Sequence, residues 1–398
     1  MKHAIIIVIL LLAILIAGLI ITRWRSSGPA FDNLNQAMQF YVSDLVKKDK
    51  SVRNCVVSVR KGDGSFSWSG AAGVANQNSG TPMTKDTPIY IASITKLYTA
   101  AVVMRLHEKN FLSLDDPMSK YLPDKLIGGI HVYEGKDYSR DITIRQLLSQ
   151  TSGIADYYSE KGQDGKSLFE LFLEEPDRSW TVDETIERAR KDLKPHFPPG
   201  TGASYSDTNF QLLGKIIEAA TGKPLHVVYE ELIFRPLDLK HTWLIGRSES
   251  LAPSVAAPAD AFHKDRIVSN LRSNGSYWAD GGLVSTTEEM ILFLKALNEG
   301  RIISKESLDL MHHWHKIRFP LQYGYGTMYF SLPRFMNRVM KLPPLWGHSG
   351  STASFLYYSE DLNLYMAGTI NQTQSMSKPF RLMIKIMKTV QTNDRFKL

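Results

Sequence analysis

The sequence predicts an α+β protein, in which an antiparallel sheet is flanked by helices and joined to a helical lobe, with a membrane segment at the N-terminus. Runs with strand character lie in the first and last thirds of the chain. Apolar residues at helical spacing, preceded by capping residues, fill the middle. Because no repeat or Gly/Ser linker divides these parts, we predict one domain over residues 31–398, preceded by an anchor in residues 1–28.

The N-terminal segment is an uncharged run over residues 4–21. As a helix it would span roughly 27 Å, close to the hydrocarbon thickness of a bilayer. Lys2 precedes the run, Arg23 and Arg25 follow it, and no small-x-small cleavage site comes after it. We therefore predict an uncleaved single-pass signal anchor, with secretion after cleavage as the alternative. The flanking charges leave its orientation open.

The domain begins with a predicted helix and a predicted hairpin. An apolar stripe at helical spacing indicates an amphipathic helix within residues 31–50. Two strand-like runs, residues 52–60 and 66–74, flank the turn sequence Lys-Gly-Asp-Gly, which is typical of a hairpin. Cys55 lies in the first of these runs, and as the single cysteine of the chain it is expected to be an inert core residue.

The middle of the chain is predicted to be helical. Thr143 opens one helix, and Thr181 with Glu184 forms a capping box for another. A third runs over about residues 209–220, and Gly222 just past its end favours the left-handed backbone of a C-terminal cap. Residues 124–141 are predicted to form an exposed hairpin or loop.

Strand character returns near the C-terminus, after one more helix. Thr286 and Glu289 mark the start of that helix and Gly300 its end. Three strands and a final helix follow, at residues 323–330, 353–358, 364–370 and 379–392. The predicted α/β lobe thus comprises about residues 31–92 and 275–398, and the helical lobe about residues 93–274.

Charge and motifs argue against several classes of function. The net charge is +7, but the first 30 residues hold three basic residues and no acid, so the rest is too mildly basic to indicate nucleic-acid binding. Neither a P-loop nor a G-x-G-x-x-G fingerprint is present, so no nucleotide cofactor is expected. His312, His313 and His315 have no common zinc-ligand spacing, and we predict a surface turn there and no metal site.

The strongest chemical signal is the pair Ser93 and Lys96 at the start of a helical run. Residues three apart share a helix face, so the amine can reach the hydroxyl. The free N–H groups of a first helical turn favour negative charge, as on an alkoxide or an oxyanion. Singly, such a pair is more often a helix cap and a solvated lysine.

Two later motifs strengthen the signal. Tyr205 and Asp207 follow a Pro-Pro-Gly break at a loop tip, where a phenol could act as a base or a proton shuttle. His348 and Gly350 precede an apolar, strand-like run. Gly350 would let a substrate lie close to that strand, and the N–H of Ser351 could point at a developing oxyanion.

Together these motifs resemble the serine β-lactamase and penicillin-binding protein superfamily, on its class C and D-Ala-D-Ala carboxypeptidase side. Connecting phrases resemble it too, such as those at residues 112–123, 142–153, 234–243 and 279–290. The resemblance implies a β-lactamase/transpeptidase-like fold without a cofactor. By position, Ser93 matches the acylated nucleophile, Lys96 its amine partner and Tyr205 the proton-exchanging tyrosine. His348 stands in the K/H-x-G strand motif, and the N–H groups of Ser93 and Ser351 would form the oxyanion hole.

Two questions about proton transfer stay open at this point. The base for Ser93 is either Lys96 with a lowered pKa or Tyr205 held as a phenolate. Asp207 also departs from the commoner Tyr-x-Asn, and a carboxylate there accepts hydrogen bonds but cannot donate them. We expect it to keep Lys96 protonated, to repel a substrate carboxylate, and to favour esters or D-amino acyl groups with a free amine.

The resemblance implies a serine hydrolase that works through an acyl-enzyme on Ser93. We rank a peptidase for D-amino-acid-containing peptides first, of the D-Ala-D-Ala carboxypeptidase or D-aminopeptidase type. An esterase, including one that removes D-alanyl esters, ranks second, and a β-lactamase third. The candidates without turnover are a penicillin-binding sensor and a structural wall protein. The expected partners are a small peptide or ester of cell-wall origin and, through residues 4–21, the membrane, with the catalytic part outside.

Overall fold

The computed structural model describes residues 31, 33–252, 256–318 and 320–392. The chain divides into two compact units, Met1–Ala37 and Met38–Leu398. The described part of the first unit is the start of one helix, and the second holds the sheet and every candidate site residue. The run at residues 4–21, predicted to cross the membrane, lies outside the described residues. Within the described ranges, no helix is long and apolar enough to span a bilayer.

The strands and helices are short and numerous. The strands are β1 (Asn54–Lys61), β2 (Ser67–Asn76), β3 (Thr81–Pro82), β4 (Ile89–Tyr90), β5 (Val132–Tyr133), β6 (Lys136–Asp137), β7 (Trp243–Leu244), β8 (Phe262–His263), β9 (Arg266–Ile267), β10 (Leu283–Ser285), β11 (His315–Arg318), β12 (Leu321–Tyr323), β13 (Met328–Phe330), β14 (Leu345–Ser349), β15 (Phe355–Ser359) and β16 (Leu364–Thr369). The α-helices are α1 (Leu34–Lys48), α2 (Thr95–Glu108), α3 (Asp124–Ile127), α4 (Ile144–Leu148), α5 (Leu168–Glu174), α6 (Val182–Asp192), α7 (Asp207–Thr221), α8 (Leu225–Tyr229), α9 (Thr287–Asn298), α10 (Lys305–Met311), α11 (Arg334–Met340) and α12 (Ser377–Thr392).

The main sheet joins the two ends of the described chain. Its order is β11-β12-β13-β14-β15-β16-β1-β2-β3, and its paired strands are antiparallel. At its centre Val56 of β1 pairs with Thr369 of β16 on one side and with Ala71 of β2 on the other. Both faces of β1 are buried, which explains its nearly continuous apolar sequence. The predicted antiparallel sheet flanked by helices is therefore confirmed.

Most of the predicted sheet elements occur, with one error. The β1–β2 hairpin is present, and β15 and β16 lie within two residues of their predicted bounds. The strand predicted at residues 323–330 is wrong, because β12 and β13 form a hairpin there. Gly324 and Gly326 make this turn possible. A Cβ on Gly324 would lie 2.0 Å from the carbonyl of Met311, and Gly326 has a φ of +66°.

The predicted helix caps are also largely present. Thr143 and Thr181 both form complete capping boxes, and Gly222 ends α7 in the left-handed conformation. Thr286 caps α9, but the carboxylate of Glu289 turns away to accept a hydrogen bond from Thr242. The segment at residues 124–141 holds α3 and the small β5–β6 hairpin.

The histidine-rich segment is less exposed than the sequence suggests. His312 lies in a turn, but its ring stacks on Trp314 at 5.0 Å and meets Trp346 edge-on at 4.7 Å. Burial lowers the pKa of His312 to about 4. His315 opens β11, so the prediction of a simple surface turn is wrong. In the ranges that the structure describes, no group of three His, Cys, Asp or Glu side chains could hold a metal ion.

Candidate active site

Ser93 lies in a strained turn at the start of the central helix. A 3₁₀ turn, Ala92–Ile94, leads into α2, which is buried along most of its length. Ala92 has a φ of +49°, a left-handed conformation that costs a residue with a Cβ about 1–2 kcal/mol. The segment before it is held firmly, because Ile91 donates from its N–H to Leu283 and accepts from the Ser354 hydroxyl at 2.9 Å. The turn places Ser93 on the wall of a groove.

Gly350 lies against the backbone that carries Ser93. A Cβ at this position would lie 2.2 Å from Oγ of Ser354 and 2.3 Å from the carbonyl oxygen of Ile91. The glycine therefore makes room for that backbone, and the expectation that it also lets a substrate lie close stays a prediction. Ser351, the next residue, lines the same groove as Ser93.

The backbone around Ser93 leaves donors free for an oxyanion. The first hydrogen bond of the 3₁₀ turn runs from the N–H of Ile94 to the carbonyl of Ile91. The N–H of Ser93 therefore precedes the first intrahelical donor. Ser351 follows β14 in the turn closed by the Gly350 N–H and the Ser354 carbonyl. An oxyanion hole of the Ser93 and Ser351 N–H groups stays a prediction that this placement favours.

Lys96 lies directly beneath Ser93 and is fully buried. Its Nζ donates to Oγ of Ser93 at 3.1 Å, to the carbonyl of Asp280 at 2.6 Å, and to Oδ1 of Asp207. Burial alone would lower the pKa of Lys96, but the carboxylates of Asp207 and Asp280 outweigh it and raise that pKa. Lys96 is therefore an ammonium whose three protons are all hydrogen-bonded.

Asp207 owes its position to the start of α7. It is the first residue of that helix, and its N–H donates to Oδ1 of Asp156 at 2.9 Å. Its carboxylate pairs with Lys96 and also reaches the groove wall. The expectation that Asp207 keeps Lys96 protonated agrees with this geometry.

Tyr205 completes the surroundings of Ser93. Its hydroxyl hydrogen-bonds the Ser93 side chain, and Nζ of Lys96 lies 5.1 Å from the centroid of its ring. Burial, and next the charge of Asp207, raise the pKa of Tyr205 well above its usual value. Tyr205 is therefore a neutral phenol, so both candidate bases, Lys96 and Tyr205, are protonated.

His348 lies behind Tyr205 and is not among the described residues that line the groove. Its ring centroid is 6.4 Å from that of Tyr205. Nδ1 lies 2.7 Å from the carbonyl of Ser349, and Nε2 lies 3.1 Å from the hydroxyl of Tyr323. Burial, and next the charge of Lys96, lower the pKa of His348 to about 3. His348 is thus a buried, neutral neighbour of the tyrosines, and its role in substrate binding stays a prediction.

Two buried acids near Lys96 escaped the sequence analysis. Asp280 accepts from the hydroxyl of Tyr157 at 2.5 Å, and burial, followed by the charge of Asp207, raises its pKa to about 6. Asp156 lies beside Asp207, and the same two causes raise its pKa to about 7. The one available signal was an acid within the otherwise apolar run around Asp280.

The groove in front of Ser93 is largely aromatic. It encloses about 770 Å³, part of it open to solvent. Its apolar wall includes Tyr158, Phe169, Phe172, Leu173, Leu271 and Tyr277. Asp207 and Asp280 contribute to the end near Ser93, and none of the described lining residues is a lysine, an arginine or a histidine. The groove therefore suits an apolar group next to a cation, and none of its described lining side chains offers a positive charge to a carboxylate.

Comparison with known proteins places this geometry in a family. A family model described as Beta-lactamase matches residues 42–386. The chain is 30% identical over 212 residues to Esterase EstB of Burkholderia gladioli, covering 50% of this chain and 49% of that protein. It is 27% identical over 236 residues to a D-aminopeptidase of Cereibacter sphaeroides, covering 58% and 40%. The chain thus spans less than half the length of these two curated relatives.

A solved structure extends the similarity over nearly the whole fold. The D-stereospecific amidohydrolase from Streptomyces sp. superposes with a TM-score of 0.69 at 28% identity, covering 89% of this chain and 98% of that one. The arrangement of sheet and helices around Ser93 is therefore shared with a hydrolase of the same fold.

Proposed function

This chain belongs to the beta-lactamase family, and from that premise we propose that it is a serine hydrolase that acylates Ser93 with D-amino acyl groups bearing a free α-amine. The observation that carries the proposal is the contact of the Ser93 hydroxyl with Lys96 and Tyr205 at the end of a groove to which Asp207 and Asp280 contribute.

The reaction would proceed in two steps. Oγ of Ser93 bonds to the acyl carbon, its proton leaves for a base, and the carbonyl electron pair moves onto the oxygen. The backbone N–H groups of Ser93 and Ser351 would stabilise that oxyanion. The C–N bond then breaks, the leaving amine takes up a proton, and water releases the acyl group by the same sequence.

The charge of the site favours an amine on the acyl group. One buried ammonium, Lys96, is surrounded by the carboxyl groups of Asp156, Asp207 and Asp280. A substrate ammonium would reduce this excess of negative charge, whereas a substrate carboxylate would add to it. The site therefore supports the D-aminopeptidase or amidase branch over the carboxypeptidase and β-lactamase branches, whose substrates carry a carboxylate.

The groove also supports a choice of side chain. Tyr158 lies 5.6 Å from Phe169 and 5.7 Å from Tyr277, measured between ring centroids, and Phe172 lies 5.5 Å from Tyr277. Such a wall favours large apolar or aromatic acyl side chains, because rings bury large areas and pack edge to face.

The test is hydrolysis of D-phenylalanine amide by the full chain. We expect turnover of this amide, loss of turnover in Ser93→Ala, and much slower turnover of the L-amide. N-acetyl-D-phenylalanine amide is the control, since acetylation removes the ammonium charge, and we expect at least a tenfold lower kcat/KM for it. Equal rates with and without the acetyl group would overturn the amine preference, and hydrolysis of penicillin in preference to all amides would overturn the assignment.

Ester hydrolysis is the second candidate, and one observation favours it. With Lys96 protonated and Tyr205 a neutral phenol, the immediate partners of Ser93 are weak bases. Esters tolerate this better than amides because their carbonyl carbon is more electrophilic and an alkoxide leaves more readily than an amide anion. Turnover of D-alanyl esters together with inertness toward D-amino acid amides would favour this candidate.

We also propose that residues 4–21 anchor the chain in a membrane with the catalytic part outside, where cell-wall peptides would be substrates. The length and apolar character of that run support the proposal. Fractionation of cells expressing the full chain, and a matched chain lacking residues 1–28, is the test. Equal recovery of both forms in the soluble fraction would contradict it.

A further inference from the structure

The contacts of Ser93 leave the destination of its proton unassigned. The proton must leave Oγ as the acyl bond forms, and two groups touch that hydroxyl, Lys96 and Tyr205. Lys96 uses each of its three protons in a hydrogen bond, so its Nζ has no lone pair to offer. Tyr205 is a phenol and would have to become a doubly protonated cation. Neither group can hold the proton in the form in which the structure places it.

One carboxylate is connected to Ser93 through an unbroken chain of hydrogen bonds. Oδ1 of Asp207 accepts from Nζ of Lys96, and that same Nζ contacts Oγ of Ser93 at 3.1 Å. The Asp207 side chain is 9% exposed and that of Lys96 is fully buried, so little water competes for this pair. The carboxyl of Asp280 is less well placed, because Lys96 contacts only its backbone carbonyl.

We propose that Asp207 holds the proton of Ser93 during acylation and receives it through Lys96. The inference rests on the proposed acyl-enzyme on Ser93. It adds Asp207 as a positioning residue that holds the proton while the acyl bond forms. Nζ of Lys96 passes one proton to Oδ1 of Asp207 and takes the proton of Ser93, while Oγ bonds to the acyl carbon. The negative charge of the carboxylate disappears as that of the oxyanion forms, and Lys96 is an ammonium before and after. When the leaving group departs, the proton returns through Lys96.

The wider surroundings of the pair are acidic and phenolic. Besides Ser93, the titratable groups whose charges act on Lys96 and Asp207 come from the loop after α4, the loops before α7 and β10, helix α8, and strands β12 and β14. They are Asp156, Tyr157, Tyr158, Tyr205, Tyr229, Tyr277, Asp280, Tyr323 and His348. Asp156 and Asp280 are thus the other carboxyl groups near the pair.

The pH dependence of acylation distinguishes this route from one in which Lys96 or Tyr205 is the base. In the two cases, Asp207→Asn should shift the fall in rate at low pH in opposite directions. If Lys96 or Tyr205 were the base, the rate would fall at low pH as that base became protonated. Removing the charge of Asp207 would lower the pKa of either group and move this acid limb to lower pH. If Asp207 holds the proton, Asp207→Asn leaves Lys96 to act as a free amine, and the acid limb moves to higher pH.

The experiment follows acylation of Ser93 by p-nitrophenyl acetate, a probe with no titrating group, in stopped flow between pH 4 and 10. For the full wild-type chain we expect an acid limb below pH 7. For Asp207→Asn we expect that limb to rise by about one unit or more, with a loss on the order of 100-fold at pH 7. Asp207→Glu, which keeps a carboxylate, should retain the wild-type limb at a reduced rate.

An acid limb that stays in place or falls in Asp207→Asn would overturn the proposal. If Asp207→Asn does not fold, the acid limb of the wild-type acylation rate decides between the routes. An acid limb above pH 8 would identify Lys96 or Tyr205 as the base. Because the probe carries no D-amino acyl group, the result does not depend on the proposed substrate. Absence of any Ser93 adduct would instead refute the acyl-enzyme, and with it this proton route.

Discussion

The hydroxyl of Tyr323 lies 3.1 Å from Nε2 of His348, and both side chains are buried behind Tyr205. Because Nδ1 of His348 faces the carbonyl of Ser349, that nitrogen carries the proton and Nε2 accepts from Tyr323. The pair thus supports Tyr205 with a neutral imidazole, at the position where the sequence suggested a substrate ligand.

Tyr323→Phe should therefore destabilise the protein by about 1–3 kcal/mol, because it leaves a buried nitrogen without a donor. Urea unfolding measures the change. Tyr325→Phe is the matched control: its hydroxyl accepts from Arg145, which keeps Asp115 as a partner at 2.8 Å, so its loss should cost less. Equal losses in the two variants would contradict the role of the His348 contact.

Gly350→Ala should lower the rate of acylation of Ser93 through the backbone, and not through a contact with substrate. The new Cβ would meet the Ile91 carbonyl at 2.3 Å and push the turn that carries Ser93. Since a misplacement near 1 Å can cost about 100-fold in rate, we expect a loss of that order in acylation. Gly281→Ala, also beside Ala92, meets no atom closer than 3.7 Å and should keep wild-type thermal stability. Acylation of Gly350→Ala at the wild-type rate would refute this interpretation.

Asp156 should make the folded protein less stable as the pH rises. Its pKa is raised to about 7 by burial and by Asp207, so between the lower unfolded pKa and pH 7 the folded state binds more protons. The stability that this proton contributes is present at low pH and is lost as the pH rises through 7. Melting temperatures at pH 5 and pH 8 should therefore differ more for wild type than for Asp156→Asn. An equal difference in the two proteins would show that the carboxyl titrates normally.

Phe169→Ala should change substrate choice more than fold stability. Phe169 is half-buried on the groove wall, 5.1 Å from the ring of His263. We expect about a tenfold lower kcat/KM for D-phenylalanine amide and little change for D-alanine amide, since a methyl side chain does not reach the wall. Phe111→Ala, at a ring that is 52% exposed and outside the groove, is the control. Parallel losses for both amides would indicate a general disturbance of the site.

The parts of the site that sequence reasoning found are those defined by local rules. Ser93 and Lys96 are linked by one helical turn, and capping residues such as Thr181 act on the backbone three residues away. Even the effect of Asp207 on the charge of Lys96 followed from its chemistry once the motifs were placed together.

What sequence reasoning missed depends on distant contacts. Asp156 and Asp280 become functional candidates only where α7 and the loop before β10 bring them to Asp207 and Lys96. The packing role of Gly350 was missed because Ile91, the residue that needs its space, is far away in the chain. Likewise the β12–β13 turn followed from the contact between Gly324 and Met311, which no periodicity reveals.

The pairing of β1 with β16 also constrains how the protein can be made. Val56 is synthesised 313 residues before its partner Thr369. β1 therefore cannot pair with β16 during most of translation, and its apolar side chains lack their native partners during that time. A nascent chain of this protein should depend on chaperones until its final strand is released.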